Sequence, residues 1–450
     1  MDVLNGFHEI GGSVKEGKLV VAVYGAGRVG ATIAAAWLRA GAKVILVDID
    51  PKRIGVISSG GDLFPDEPKV DETFRSGFRA GRFAVTTSPS QAASASDVNI
   101  VAVPAGLKAG RPDLSSVREA FSAIAERMQR GCLNVLETSV PPGTTRKVVL
   151  PILLRREGFE VERDFGLAYS PERIFEGRSL QDLEENYVKV AGGVGPKSTR
   201  AVVELYSLVA KKGVLTMSTL EAAETEKLFE GVYRDVNIAL ANELAMVCER
   251  MGVDYWEVMK AANSQPFCHL HRPGPGVGGA CIPVYPVFVM DAAKEAGARV
   301  PLTSTARELN LSMPKHVASL AVSLLGKEER KVALLGLAFR GNVNDDRLSP
   351  SYELLKELKK LGCDVVAHDP FVRRESAEGF AVVADLKRVL KGRKLALVAT
   401  DHEEYSKLSY EELKEWAGGD LLVYDGRGVL DWSKFPRDRL VRLGVPYRPS

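Results

Sequence analysis

The apolar run Leu19–Gly27 (LVVAVYGAG) ends in Gly25-Ala26-Gly27-Arg28-Val29-Gly30 and passes straight into helical spacing over Thr32–Ala40. Few folds accommodate three glycines at offsets 1, 3 and 6 where a buried strand becomes a helix. The first permits the tight turn and the second lets backbone approach a pyrophosphate. The third brings the helix against the strand, so that its N-terminus points at the phosphates. The next strand-like run, Ala42–Asp50, carries Asp48, 18 residues past Gly30. A carboxylate there accepts hydrogen bonds from a ribose and repels a 2′-phosphate, which selects NAD over NADP. Gly25, Gly27, Arg28, Val29, Gly30 and Asp48 therefore form a candidate cofactor-binding set, with Arg53 at the adenosine end.

The alternation continues. Asp97–Gly106, Cys132–Val140, Phe165–Ser170 and Tyr187–Gly192 read as further buried strands, and Leu114–Gln129 has helical spacing. From Lys331 the same pattern restarts at Val332–Leu337, Asp364–His368, Leu395–Thr400 and Leu421–Tyr424. Between the two regions, Leu220 to about Met251 holds no proline and one glycine, Gly231. Leu228, Val232, Val236, Leu240, Leu244, Val247 and Met251 recur there at spacings of three and four, which predicts one apolar face of a helix roughly 45 Å long. The expected architecture is α/β: two Rossmann-like, doubly wound parallel-sheet domains joined by a central helical domain with a long spine helix. The expected limits are a leader over 1–18 and domains over 19–205, 206–325 and 326–450.

Composition narrows the function classes. Sixty Lys and Arg against 58 Asp and Glu leave no basic excess for nucleic acid. No apolar run reaches the length of a membrane span, and the N-terminus lacks the layout of a signal peptide. Five scattered cysteines with no CxxC pair argue against a disulfide framework and for a reducing, cytoplasmic setting. Cys268, His269 and His271 fit no zinc spacing, so no metal is expected.

Two middle segments carry chemistry. Pro273–Pro283 (PGPGVGGACIP) places Cys281 in a loop of small residues, where glycines such as Gly278 let a ligand touch backbone and leave the thiol reachable. On the long helix, Glu224, Lys227, Gly231 and Arg234 fall on one polar stripe. A glycine inside a helix costs about 1 kcal/mol relative to alanine, which points to a close approach at Gly231.

These segments resemble the UDP-glucose/GDP-mannose dehydrogenase family. The resemblance rests on GAGRVG, VDID, ETSVPPGTT (137–145), YSPERIFEG (169–177), YRDVNIALANELA (233–245), PGPGVGGACIP, GLAF (336–339) and HDPFV (368–372). The leader before the first strand, PER, RDVN and PGPGVGG look most like the branch that oxidises UDP-N-acetylmannosamine, whereas Glu176 resembles the UDP-glucose branch. The resemblance implies an NAD domain, a central domain through which two copies pair, and a UDP-binding domain. It implies a four-electron oxidation of a sugar C6 alcohol to a carboxylate with two NAD. Cys281 would form a thiohemiacetal and then a thioester, because going past the aldehyde requires a nucleophile to make the carbon tetrahedral again. Lys227 would stabilise the oxyanion and Glu172 would assist water in hydrolysis. Ser139 would bind NAD and ordered water. Arg173, Gly231, Arg234, Gly278, Phe339 and Arg340 would contact the UDP-sugar, and Arg347 would reach NAD across a subunit boundary.

Several positions depart from the family pattern. Gly231 stands where an Asn is usual and Tyr285 where an Asp is usual. Ala280 replaces a His, Arg340 a Lys, and Leu348 an acidic residue. Gly231 is expected to make the room that Tyr285 fills. The alternatives are UDP-glucose as substrate, an enzyme that stops at the aldehyde, and a non-catalytic UDP-sugar or NAD-binding paralogue.

Overall fold

Short Val- and Ile-rich runs that end at glycine or a small polar residue form the strands predicted from them. This computed structural model describes residues 1–64, 66–326, 329–377 and 379–447. The strands are β1 (Val20–Tyr24), β2 (Lys43–Val47), β3 (Phe83–Thr86), β4 (Val98–Val101), β5 (Gly106–Lys108), β6 (Arg111–Asp113), β7 (Cys132–Leu136), β8 (Phe165–Tyr169), β9 (Lys189–Gly193) and β10 (Val214–Thr216). In the C-terminal third they are β11 (Lys331–Leu335), β12 (Asp364–His368), β13 (Ser376–Ala377), β14 (Phe380–Ala381), β15 (Leu395–Val398), β16 (Leu422–Asp425) and β17 (Leu440–Arg442).

The chain divides into two compact units, Met1–Phe229 with Val287–Ala296, and Glu230–Pro286 with Gly297–Ser450. The first holds an eight-stranded sheet in the order β10-β9-β8-β7-β4-β1-β2-β3. Its neighbours run parallel except β8 and β9, which pair antiparallel, so the all-parallel expectation is corrected at that junction. The strand order reverses between β1 and β4, the switch point at which open α/β sheets hold ligands beyond their carboxyl edge. The second unit holds an all-parallel sheet, β12-β11-β15-β16-β17, with its reversal between β11 and β15. The first 18 residues are not a detached leader. Val3, Leu4, Ile10 and Val14 are buried, and the Leu4 amide donates to the Gly131 carbonyl at 3.0 Å.

The long helix runs Leu220–Met251, as its spacing predicted, but of the predicted apolar face only Leu228 is fully buried. Its buried side carries Ala223, Glu224, Leu228, Gly231, Asp235, Ala239, Asn242 and Ala245. Leu240, Val247 and Met251 are exposed. Small and hydrogen-bonded residues let neighbouring backbone come close, and this close packing outweighed the larger apolar side chains. Among the described residues, no helix is long and apolar enough to cross a membrane.

Candidate active site

In the first unit the predicted residues collect at the carboxyl edge of one sheet. Gly25 has φ +101°, and a Cβ there would lie 2.6 Å from the Ala102 carbonyl oxygen, just past β4. A Cβ at Gly30 would overlap the Gly25 carbonyl. A Cβ at Gly27, by contrast, would meet nothing within 4 Å. This is the division of labour the motif demands: two glycines for tight packing and one facing open space. Gly27 is the N-cap of the helix Arg28–Ala40 and makes no side-chain cap, so the first-turn amides of Arg28, Val29 and Gly30 meet no capping side chain. That end is shaped for a pyrophosphate, and NAD fits it. Asp48 directly follows β2; its Oδ2 accepts the Ala26 amide at 2.8 Å and lies 3.5 Å from the Arg53 guanidinium. Arg28 is held by Asp66 at 2.8 Å and Glu176 at 3.3 Å, with its guanidinium over the Phe64 ring.

Ser139 follows β7, and Glu172 and Arg173 follow β8, the neighbouring strand on the same edge. Arg173 lies 3.6 Å from Glu226 and donates to the Val188 carbonyl, which ties the PER segment to the helical turn carrying half-buried Lys227. Glu224 is not part of a solvated stripe. It is fully buried and accepts from the Gly143 amide and from the Thr145 amide and hydroxyl, at 2.8 and 2.6 Å. Burial pushes its carboxyl up to about 7 against the pull of those bonds. It thereby fixes the PPGTT turn beyond Ser139 to the start of the long helix. Periodicity reads such a Glu as a surface charge, and only the buried amide donors reveal otherwise.

In the second unit, the glycine loop packs against the segment after β11. A Cβ at Gly278 would lie 2.8 Å from Phe339 Cβ, the Leu348 carbonyl and Pro350. Gly279 (φ +91°) sits 2.9 Å from the Phe339 ring by the same measure, and its amide donates to the Arg347 carbonyl at 2.9 Å. Gly278, Phe339 and the Arg347 backbone are therefore brought together. Arg340 is half-buried, and Arg347 is exposed and ion-paired with Asp345. The Cys281 carbonyl accepts the Val284 and Tyr285 amides, both at 3.0 Å, and leaves the residue exposed just before the helix Tyr285–Glu295. The Gly274 amide donates to Asn242 Oδ1 at 2.9 Å, and Asn310 in turn bonds both Asn242 and buried Asp235. Asn242, Asn310 and Asp235 were not foreseen; a seven-residue spacing of Asp and Asn on one helix face was the available signal.

Gly231 and Tyr285 meet as expected. A Cβ at Gly231 would fall into the Tyr285 ring and 3.0 Å from its Cβ, and both residues are buried. Arg234, one turn on, is exposed.

The second sheet repeats the first unit's plan with a difference. Gly336 (φ +106°) closes against Thr400 as Gly25 does against Ala102, and Asp369 follows β12 as Asp48 follows β2. Asp369, however, is fully engaged. It accepts from the Leu337, Ala338, Phe371 and Val372 amides, and buried His402 lies 3.0 Å away. These partners outweigh burial and hold its carboxyl far below the usual range. Its oxygens are taken by these five partners, which leaves little capacity for a ribose. Among the described residues, no three His, Cys, Asp or Glu side chains are grouped to hold a metal ion, and Cys268, His269 and His271 make no such centre.

Three profiles of one family match the chain: the NAD binding domain over residues 19–210, the central domain over 221–312 and the UDP binding domain over 333–432. A UDP-N-acetyl-D-mannosamine dehydrogenase of Pyrococcus horikoshii is 33% identical over 415 residues, 91% of this chain and 96% of the relative. An NDP-N-acetyl-D-galactosaminuronic acid dehydrogenase of Ralstonia nicotianae is 33% identical over 423 residues, covering 92% and 96%. The solved Pyrococcus horikoshii UDP-D-ManNAc dehydrogenase superimposes with a TM-score of 0.86 at 31% identity, over 95% of this chain and 99% of that one. With the glycine turn shaped for NAD and all three domains matched in order, the chain belongs to the UDP-glucose/GDP-mannose dehydrogenase family and is an NAD-dependent oxidoreductase.

Proposed function

We propose that the protein oxidises the C6 alcohol of a UDP-hexose to the carboxylate, with UDP-N-acetylmannosamine as substrate. The observation that carries this reading is the exposed Cys281 at the end of a glycine loop packed on Phe339. The Pyrococcus relative supports the choice of sugar. Bound NAD supplies the hydride acceptor for both oxidations, held by Gly25, Gly27, Gly30 and Asp48. Lys227 steadies the alkoxide as the alcohol proton leaves, and then the oxyanions that follow. The Cys281 thiolate adds to the aldehyde carbon, giving a thiohemiacetal that loses hydride to become a thioester. Glu172 takes a proton from water as the water oxygen adds to that carbonyl; the C–S bond breaks and the thiolate leaves. Arg173, Arg234, Phe339 and Arg340 bind the UDP-sugar, Ser139 the cofactor, and Arg347 the cofactor of a second copy.

A panel of UDP-hexoses with NAD tests this. UDP-N-acetylmannosamine is expected to yield two NADH per sugar, faster than UDP-glucose. One NADH per sugar would mean that the reaction stops at the aldehyde. The Gly231–Tyr285 packing, which replaces two polar groups of the family, favours a second reading as a non-catalytic binding protein. Binding of UDP-sugar without NADH formation across the panel would establish that reading instead.

The protein pairs with a second copy through its central helix. Tyr233, Leu240, Val247 and Met251, spaced by seven, seven and four, lie 42–68% exposed along it, an apolar stripe with coiled-coil-like spacing. Sedimentation is expected to give a dimer at micromolar concentration, and Leu240→Glu with Val247→Glu a monomer. A monomeric parent protein would refute the pairing.

A further inference from the structure

Behind Glu172 lies a buried ammonium that neither the motif nor the reaction scheme accounts for. Lys189 opens β9, and its side chain is only 4% exposed. Its Nζ donates to Glu172 Oε2 at 2.6 Å and to the Pro171 carbonyl at 3.3 Å. It also lies 3.2 Å from Glu137 Oε1, just past β7. The groups facing it come from every surrounding element. Glu137 follows β7 and Tyr169 closes β8. Tyr206, on the helix Pro196–Ser207, donates to Glu137 Oε1 and places its ring 4.9 Å from Nζ. Arg173 follows Glu172 in sequence and is itself paired with Glu226 on the long helix.

Two carboxylates thus face one cation in a dry pocket, and they are not equivalent. Glu137 is wholly enclosed, whereas Glu172, its side chain 7% exposed, sits at the sheet's carboxyl edge, where its Oε1 accepts the Arg173 amide at 2.8 Å. Burial pushes the Glu137 carboxyl up to about 7, with Lys189 pulling it down and Glu172 pushing it further up. Its Oε2 has no hydrogen-bond partner among the described residues, so that oxygen carries a proton without breaking a bond. Lys189 is raised: burial alone would lower it, but Glu137 and Glu172 outweigh burial. Burial also holds Tyr169 and Tyr206 neutral, far above their ordinary range. Below about pH 7 the cluster therefore holds a neutral Glu137 beside a charged Lys189.

We propose that Lys189 is the positioning residue for Glu172: its ammonium favours the ionised form of that carboxylate and fixes Oε2, while the Arg173 amide, donating at 2.8 Å, fixes Oε1. The proposal rests on Glu172 being the base of thioester hydrolysis. A base must be deprotonated to work, and losing the ammonium bonded to it disfavours the ionised form, so the acid limb of the rate profile must move up in pH.

The test is the pH dependence of two-NADH turnover by the full protein with NAD and the UDP-hexose that gives turnover. Lys189→Met is expected to move the acid limb up by about one pH unit and to lower kcat below pH 7 roughly tenfold, with KM little changed. Lys189→Arg should keep the limb in place. A limb that stays put in Lys189→Met, even with a lowered melting temperature, would leave Lys189 a structural residue only. Glu137→Gln keeps the test open if the Met variant fails to fold. It leaves the ammonium to Glu172 alone and should not displace the limb, so an upward displacement overturns the proposal. Glu172→Gln separates the two layers. If it retains two-NADH turnover, Glu172 is not the base and the proposal falls with it. If it halts turnover while Lys189→Met leaves the limb unmoved, the role of Lys189 alone falls.

Discussion

Cys281→Ala is expected to abolish the two-NADH yield, lowering turnover to the acid by roughly a thousandfold or more. Losses of that order follow removal of a covalent nucleophile. Without the thiol, only unassisted hydration makes the aldehyde tetrahedral in a form from which a second hydride leaves. The residue is exposed, and its role in the loop runs through its backbone carbonyl, which the substitution keeps. Stability should therefore change by no more than about 0.5 kcal/mol. Cys281→Ser should behave similarly, since a neutral hydroxyl is a far weaker nucleophile than a thiolate. An undiminished two-NADH yield in either variant would remove Cys281 from the mechanism.

The second large effect is expected at Gly231→Asn, which restores a residue usual in the family and should nevertheless do harm. Its Cβ would enter space held by the Tyr285 ring, and both residues are buried. Overpacking of this kind costs about 1–3 kcal/mol. The strain should reach the reaction as well, because Tyr285 donates its amide to the Cys281 carbonyl. Tyr285→Ala should empty the contested space. The two substitutions together should then be less damaging than their sum, by a coupling of about 1–3 kcal/mol. Unfolding midpoints for the parent, both single variants and the double measure it. Unchanged folding and activity in Gly231→Asn would mean that the pair does not act as one.

The exchange at 231 and 285 was legible because a mid-helix glycine and an out-of-pattern tyrosine called for a common cause. The strands of both sheets were equally readable, since buried parallel strands announce themselves as apolar runs closed by glycine or small residues. The edge strands β3 (FAVT), β10 and β17 were missed because three or four residues at a sheet edge carry too little pattern. The antiparallel turn of β9 against β8 was missed for another reason: strand direction is not written in hydrophobicity. Buried charge was the larger blind spot. Glu224, Lys189, Glu137, Asp235 and Asp369 are all buried, and each has partners distant in sequence. Periodicity arguments assign charge to solvent, and the long helix shows how that misleads. They placed its large apolar residues inward, yet it turns alanine, glycine and hydrogen-bonded Asp and Asn inward instead.

The two compact units also have an order of manufacture. The first is discontinuous: it needs Val287–Ala296, which contributes fully buried Phe288, after the chain has left it at Phe229. A ribosome delivers residues in sequence, so the N-terminal sheet emerges long before the segment that completes its unit. Until residue 296 clears the exit tunnel, the nascent chain carries the N-terminal sheet without the last segment of its unit. Glu230–Pro286 must be threaded out during that interval, the glycine loop and Cys281 among them. Cys281 is thus made before the unit that binds NAD is complete, and the second unit, which includes Gly297 onward, comes last.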